Sequence, residues 1–376
     1  MTSQTGESFN KAVLYKNFIR PLLFIGDPEK THEHALALLS KMTPLEGVLE
    51  QLFSVHDPRL QVNIDSLIFS NPVGLAGGFD KNAVAVRTIA SFGFGFMEIG
   101  AVTALAQPGN PKPRLYRLPE DQALINRLGF NNEGAAAVAQ RLRALRENGR
   151  PLKIPLGINL GRSKIVETKD AVADFLSAFE KLFPYGDFFT LNVSSPNTPQ
   201  LRDLQEKNLL RGLLQAIQEK NGVFAARLGQ RAKPILVKIA PDMEFAQADD
   251  VIEVAMAEKI SGLIATNATA FLRETLTSGS KEPGGLSGKP LRSLATSFVR
   301  HLYRAVGGKL PIICVGGIFS AEDAYEKIKA GATAVQIYTG FVYEGPAAVK
   351  HINQGLIRLI ERDGYKSIAE AVGQNS

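Results

Sequence analysis

The sequence predicts an α/β fold: a (β/α)8 TIM barrel with a small N-terminal helical extension. Eight short strand-like runs occur, at 73–76, 96–101, 154–159, 187–193, 234–239, 261–266, 311–315 and 333–338. Most are followed by a polar or glycine-rich loop and then by helical periodicity, as at 170–183, 207–218, 246–258, 293–306 and 321–330. Such alternation argues for a parallel sheet closed by crossover helices. The chain has 376 residues, room for one barrel of about 250 residues or more plus an appendage. A doubly wound sheet is the alternative, but the first run lacks the Gly-x-Gly-x-x-Gly turn of that fold.

The extension is taken as residues 1–50 and the barrel as 51–376. Residues 8–26 crowd Phe9, Val13, Leu14, Phe18, Ile19, Leu22, Leu23, Phe24 and Ile25 together, with Lys11, Lys16 and Arg20 as the charges before Asp27. The spacing is roughly helical. Pro21 should break or kink that helix. Gly26 ends it, and Asp27-Pro28 reads as the N-cap and first position of a second helix that stops before Pro44. Both an arm packed on the barrel and an interfacial amphipathic helix pair fit this pattern. Residues 59–70 alternate apolar and polar, which predicts a hairpin through Asp65-Ser66.

Composition narrows the function classes. Hydrophobic residues make up 45% of the chain, enough for a substantial core. Cys314 is the only cysteine, so no intramolecular disulfide can form, and its place in a strand marks it as a core residue. The net charge of +6 suits an anionic ligand or lipid. No Lys/Arg run, zinc spacing or RNA-binding aromatic signature points to nucleic acid. No basic leader precedes an apolar stretch, and no apolar run approaches about 18 residues. No His/Cys/Asp/Glu cluster has metal spacing. His32 and His34, two apart on a helix, face different ways.

In a barrel the chemistry sits at the C-terminal ends of the strands. Here those ends read GLAGGFDKN, EIGAVT, GINLG, LNVSSPN, VKIAPD, IATNAT, CVGGI and QIYTGF. Gly316-Gly317 and Thr339-Gly340, after the last two strands, form the usual barrel phosphate cradle, although tight turns also select glycine. Lys238 lies in an apolar strand and should meet an anion, either a ligand or a neighbouring carboxylate. Lys81 is less telling, because Asp80 is an obvious partner. Asn126, Asn159, Asn192, Asn197 and Asn267 all fall near strand ends. Any one suits a turn, while several converging could read a ring of carbonyls and N–H groups. Asp242 is most simply a helix or turn cap.

The strings NPVGLAGGFDKN, NRLGFNN, LNVSSPNTPQLRDLQ, IATNAT, GGLSGKPL, VGGI and QIYTGF resemble those of the dihydroorotate dehydrogenases, in order over about residues 28–345. Ser195 stands where the soluble class has cysteine, so the resemblance is to the quinone-using, membrane-associated class (class 2). It implies oxidation of dihydroorotate to orotate in pyrimidine biosynthesis. The hydride would go to one non-covalent FMN per chain and the electrons to ubiquinone or menaquinone. Ser195 would take the C5 proton. Lys81, Asn126, Arg127, Leu128, Gly129, Phe130, Asn192, Asn197, Asn267 and Ala268 would line the substrate. Ala76, Gly77, Gly78, Thr103, Asn159, Asn192, Lys238, Thr266, Gly288, Gly316, Gly317, Tyr338 and Thr339 would hold FMN. The N-terminal helices would form a quinone tunnel resting peripherally on the cytoplasmic side of a bacterial inner membrane, or on the mitochondrial inner membrane.

Two departures stand out. Ala268 replaces the family's usual threonine, and Thr269 is not a given substitute. Gly77 and Phe79 replace residues often found as Ala and Leu; as backbone contacts they should matter little. A serine base needs an outlet for its proton, expected through Thr198 or water under the shelter of Phe130. Other readings are a soluble-class enzyme using fumarate or NAD, and a non-catalytic flavin- or phosphate-binding barrel docked on a membrane.

Overall fold

The computed structural model describes residues 14–376. A hairpin, β1 (Val62–Ile64) and β2 (Leu67–Phe69), precedes the barrel and pairs Asn63 with Ile68 across Asp65-Ser66, as the alternation predicts. The barrel strands are β3 (Val73–Leu75), β4 (Phe96–Val102), β7 (Leu156–Leu160), β8 (Phe188–Asn192), β9 (Ile235–Ile239), β10 (Gly262–Ala265), β12 (Ile312–Val315) and β13 (Ala334–Ile337). Outside it lie β5 (Leu115–Leu118), β6 (Ala123–Asn126) and β11 (Gly285–Gly288). Neighbours in the barrel pair in parallel and β13 closes on β3. The predicted runs match these strands to within a few residues. Their side chains are almost wholly buried, the mark of strands covered on both faces.

The hairpin seals the N-terminal end. Phe69 stacks on Phe96 at 4.1 Å and sits 6.2 Å from Phe188. Two glycines make room for those rings. A Cβ on Gly74 would lie 2.3 Å from Phe96, and one on Gly157 2.2 Å from Phe188. This end is therefore solid aromatic core, and open space is left at the other end.

The sequence pattern does not reveal the second sheet. β5 and β6 form a hairpin in the loop after β4, and β11 pairs with β6 from the loop after β10. Leu118, Ala123, Ile125, Leu276 and Leu286 give it a small core of its own. It stands over the C-terminal mouth and delivers Asn126 and Gly288 there.

The extension differs from expectation at Pro21. The chain runs as a π-helical turn, Tyr15–Ile19, into α1 (Arg20–Ile25), with Pro21 in its first turn. Arg20 N–H bonds to Tyr15 O, five residues back. The helical path runs on through Pro21, and the π-helical turn just before it is the local widening by which a helix takes in a proline, so the expected break or kink takes the form of a π-bulge and not a break. Gly26 ends it, and Asp27 caps α2 (Pro28–Lys41) by accepting from Lys30 N at 2.8 Å. A third helix, α3 (Glu46–Phe53), is an addition to the expected pair. Phe9, Lys11 and Val13 lie outside the described residues.

One face of the arm docks on the barrel. Tyr15 donates to Val342 O at 2.7 Å, and its ring fills the space a Cβ on Gly345 would take, 2.4 Å away. Arg114 grips Glu29 through its Nε and one terminal nitrogen, Nη2, at 2.6–3.1 Å, with both side chains buried. The other face is bare: Phe18 is 63% exposed, Leu22 71% and Ile25 83%. No helix among the described residues is long and apolar enough to cross a membrane.

Candidate functional site

A cleft opens at the C-terminal ends of the strands under the small sheet. With its open mouth it spans about 1040 Å³, the upper range of small-molecule and cofactor sites at about 300–1,000 Å³.

The β3 end supplies Ala76, Gly77, Gly78 and Lys81 to its wall. Asp80 is not the partner of Lys81. It is fully buried and caps the turn that follows, accepting from Val84 N and Ala85 N at 2.8 Å each. Among the described residues Lys81 has no hydrogen bond or ion pair. Burial without a contacting anion pulls its pKa down to about 8. His32, absent from the expected site, stands behind it. Its Nε2 lies 2.7 Å from Phe79 O, which obliges that nitrogen to carry the proton. Burial, then the charge of Lys81, hold His32 near a pKa of about 4, a neutral imidazole.

The asparagines form a chain. Asn159 Nδ2 donates to Glu98 Oε2 at 2.9 Å, and Asn192 Nδ2 donates to Asn159 Oδ1 at 3.0 Å. Ser194 Oγ donates to Asn192 Oδ1 at 2.8 Å, and Asn267 Nδ2 donates to Ser194 Oγ at 2.9 Å. Asn267 Oδ1 then accepts from Ala268 N at 2.7 Å. Gln336 Nε2 donates to the other oxygen of Glu98 at 2.7 Å.

Ser195 is 5% exposed, and its Oγ accepts from Asn197 N at 3.3 Å. Asn197 Nδ2 reaches Asn126 Oδ1 at 3.3 Å, and Asn110 Nδ2 holds Asn197 O at 3.2 Å. The Thr198 hydroxyl is buried with no partner, an open position for an expected relay. Phe130, at φ 53°, lays its ring where a Cβ on Gly161 would be 2.7 Å away. Arg162 bonds Pro199 O, and Arg202 Nε bonds Ser194 O at 3.2 Å.

Asp242 does more than cap a turn. It accepts from Ala270 N at 2.9 Å, pairs with Arg202 at 2.9 Å and takes the Thr269 hydroxyl. Thr269 is therefore committed away from the cleft and does not stand in for the threonine missing at Ala268.

Opposite lies a glycine cradle. Gly316, Gly317 and Gly288 have φ of 129°, 69° and 104°, a region open to glycine. A Cβ on Gly317 would strike Arg292 at 2.4 Å, and one on Gly340 would strike Ile318 O at 2.0 Å. Thr339 Oγ1 meets Ser287 Oγ at 3.0 Å. Burial pushes the Tyr338 phenol up to about 12, so it stays protonated. Lys238 is 4% exposed and unpaired among the described residues; burial lowers its pKa and Glu98 acts on it only from a distance. Thr266 Oγ1 and Gln336 Oε1 are buried without partners. An unpaired ammonium, two orphan oxygens and a bare-backbone cradle fit a planar heterocycle carrying a phosphate, as in FMN.

The cleft gathers Ser195 and nearly all the expected neighbours, including Leu128, Gly129, Asn126, Asn197, Asn267 and Ala268. Three expected residues are not on its wall. Arg127 turns away and holds Pro113 O at 2.7 Å. The Thr103 hydroxyl is spent between Leu105 O and Asn132 Nδ2. Asn159 sits behind Asn192. Gly77 matters more than expected, because a Cβ there would lie 3.0 Å from both Glu98 Oε2 and Asn159 Nδ2. Glu98 and Gln336 are site residues that the sequence reading misses. Their signal is a polar residue inside an apolar strand, the one that singles out Lys238.

Comparison with known proteins bears on the family. The family model "Dihydroorotate dehydrogenase" matches residues 59–360. A Gloeobacter violaceus protein named dihydroorotate dehydrogenase (quinone) is 48% identical over 94% of this chain and 97% of its own. One of the same name from Christiangramia forsetii is 48% identical over 92% and 99%. The crystal structure of DHODH in complex with ferulenol from Eimeria tenella superposes with a TM-score of 0.86 at 36% identity, covering 93% of this chain and 96% of that one.

Proposed function

This chain belongs to the dihydroorotate dehydrogenase family, and we propose from that premise that it oxidises dihydroorotate to orotate in pyrimidine biosynthesis, with a quinone as electron acceptor. The observation that carries the reading is one cleft in which Ser195, an unpaired Lys81 and an unpaired Lys238 face common space.

FMN, when bound, supplies the hydride acceptor that no side chain offers. Lys238, Thr266, Gln336 and the Gly288, Gly316 and Gly317 backbone would hold it. Lys81 is the cation for the substrate carboxylate. An ammonium buried without a counter-ion gains most when an anion arrives. The amides of Asn126, Asn197 and Asn267 orient the ring by donors and acceptors at its edges. Ser195 removes the ring proton. Its Oγ is oriented by Asn197 N–H, and the free Thr198 hydroxyl is the first step of the outlet. Phe130 keeps bulk water from that proton.

The exposed apolar face of Phe18, Leu22 and Ile25 supports a peripheral seat on a membrane, where a lipid-soluble quinone would be met. Reduction of the flavin by dihydroorotate, followed by reoxidation with quinone but not with fumarate or NAD, is the test.

A further inference from the structure

Glu98 is fully buried in the middle of β4, yet it forms no ion pair among the described residues. Burying a carboxylate without a cation is costly unless donors replace the lost water. Three side chains do so: Asn159 Nδ2 at 2.9 Å, Gln336 Nε2 at 2.7 Å and Thr190 Oγ1 at 3.2 Å. They come from three different barrel strands. None of the substrate or cofactor contacts assigned above requires Glu98.

A carboxylate only accepts hydrogen bonds, whereas an amide does both. Glu98 therefore dictates which end of each amide it meets. Asn159 must turn its NH2 toward Glu98, leaving Oδ1 for Asn192. Asn192 must then donate, leaving its own Oδ1 as an acceptor. Ser194 donates to that oxygen, and Asn267 donates to Ser194. On the other side Gln336 must also donate, which turns its partnerless Oε1 the other way. The backbone N–H groups of Ser194 and Ala268 hold the Asn192 and Asn267 amides the same way round, so the amide whose direction rests on Glu98 alone is that of Gln336, on the cleft wall. Gly77 preserves the arrangement by leaving no Cβ against it.

We propose that Glu98 is a positioning residue: as an acceptor-only group between Asn159 and Gln336 it fixes which end of the Gln336 amide the site presents to the cofactor ring. The proposal rests on the FMN reading above. In Glu98→Gln the shape and the bonding capacity remain, but the direction of the bonds is no longer imposed. The Gln336 amide can then turn over and present the wrong atom to the cleft.

The test is FMN retention, read from free-flavin fluorescence as purified holoprotein is diluted. Glu98→Gln should raise the FMN dissociation constant about tenfold or more, the scale of a hydrogen bond to a charged group. Combining Glu98→Gln with Asn159→Asp should recover part of that loss, because a carboxylate at position 159 takes the NH2 of the new amide and leaves its oxygen to accept from Gln336. Thr190→Val removes a donor to Glu98 without touching an amide, and should retain FMN as wild type does. Equal retention by wild type and Glu98→Gln overturns the proposal, as does an equal loss in Thr190→Val. If Glu98→Gln does not fold, the double variant decides in its place: near-wild-type FMN retention supports the proposal, and loss of FMN overturns it. A wild-type protein that carries no flavin overturns the cofactor reading and this proposal together. Wild type holding FMN, with Glu98→Gln equal to it, overturns this proposal alone.

Discussion

Asp80 and Lys81 are chain neighbours that do not pair. Asp80 turns inward to cap the Val84 and Ala85 amides, and Lys81 is left facing the cleft. Its folded-state pKa, about 8, lies below its ordinary 10.5. Below pH 8 the folded protein carries a half-buried charge with no contacting anion, at a cost in stability. Between those values the unfolded chain holds a proton the folded one has lost, so that cost fades as pH rises. A bound carboxylate reverses the balance.

Orotate binding should therefore be flat below pH 8 and weaken above it, as Lys81 loses its proton. Lys81→Met should weaken binding about 10- to 100-fold, from a charged hydrogen bond of about 1.5–3 kcal/mol, and abolish that pH dependence. Isothermal titration from pH 6 to 10 reads both. An unchanged profile in the variant would remove Lys81 from the substrate site.

Ser195→Ala should slow single-turnover flavin reduction by about 10²–10⁴, the usual loss for a general base. Thr198→Val should slow it less, with binding intact. A near-wild-type rate in Ser195→Ala would falsify the base assignment.

Thr269 and Asp242 tie the loop after β10 to Arg202 and so to the Ser195 loop. Thr269→Val leaves a buried carboxylate short of a donor and should destabilise the fold by about 1–3 kcal/mol without altering orotate affinity. Urea unfolding and orotate titration separate the effects. A loss of orotate affinity at unchanged stability would make Thr269 a substrate contact after all.

Lys238→Met should weaken FMN retention and lower the flavin potential, because a cation facing the reduced ring's charge is lost. Spectroelectrochemistry on the holoprotein checks this. Unchanged flavin content and potential would exclude the role.

Lacking residues 1–26, the protein should still be reduced by dihydroorotate but should no longer float with anionic liposomes. Full-length protein that stays at the bottom of the gradient would make the arm a packing element alone.

Much of this is legible in the chain. The eight barrel strands are visible because each is a short apolar run with a polar end. The cleft is legible from those ends, since a barrel brings them together whatever lies between. The β5–β6–β11 sheet is not, because its pairing joins residues 123–126 to 285–288 and no local periodicity records such a contact. The π-helical turn before Pro21 is hidden because proline's effect depends on its position in the helix. Lys81 misleads because adjacency to Asp80 says nothing of where either side chain turns. Glu98 carries its signal in the open, a carboxylate between Met97 and Ile99.

The central claim, a Ser195-driven oxidation coupled to quinone, is tested most directly by anaerobic mixing with dihydroorotate. The flavin absorbance should bleach within a turnover, slowly in Ser195→Ala, and return on adding quinone. Absorbance that dihydroorotate leaves unchanged, or that fumarate or NAD restores and quinone does not, would contradict it.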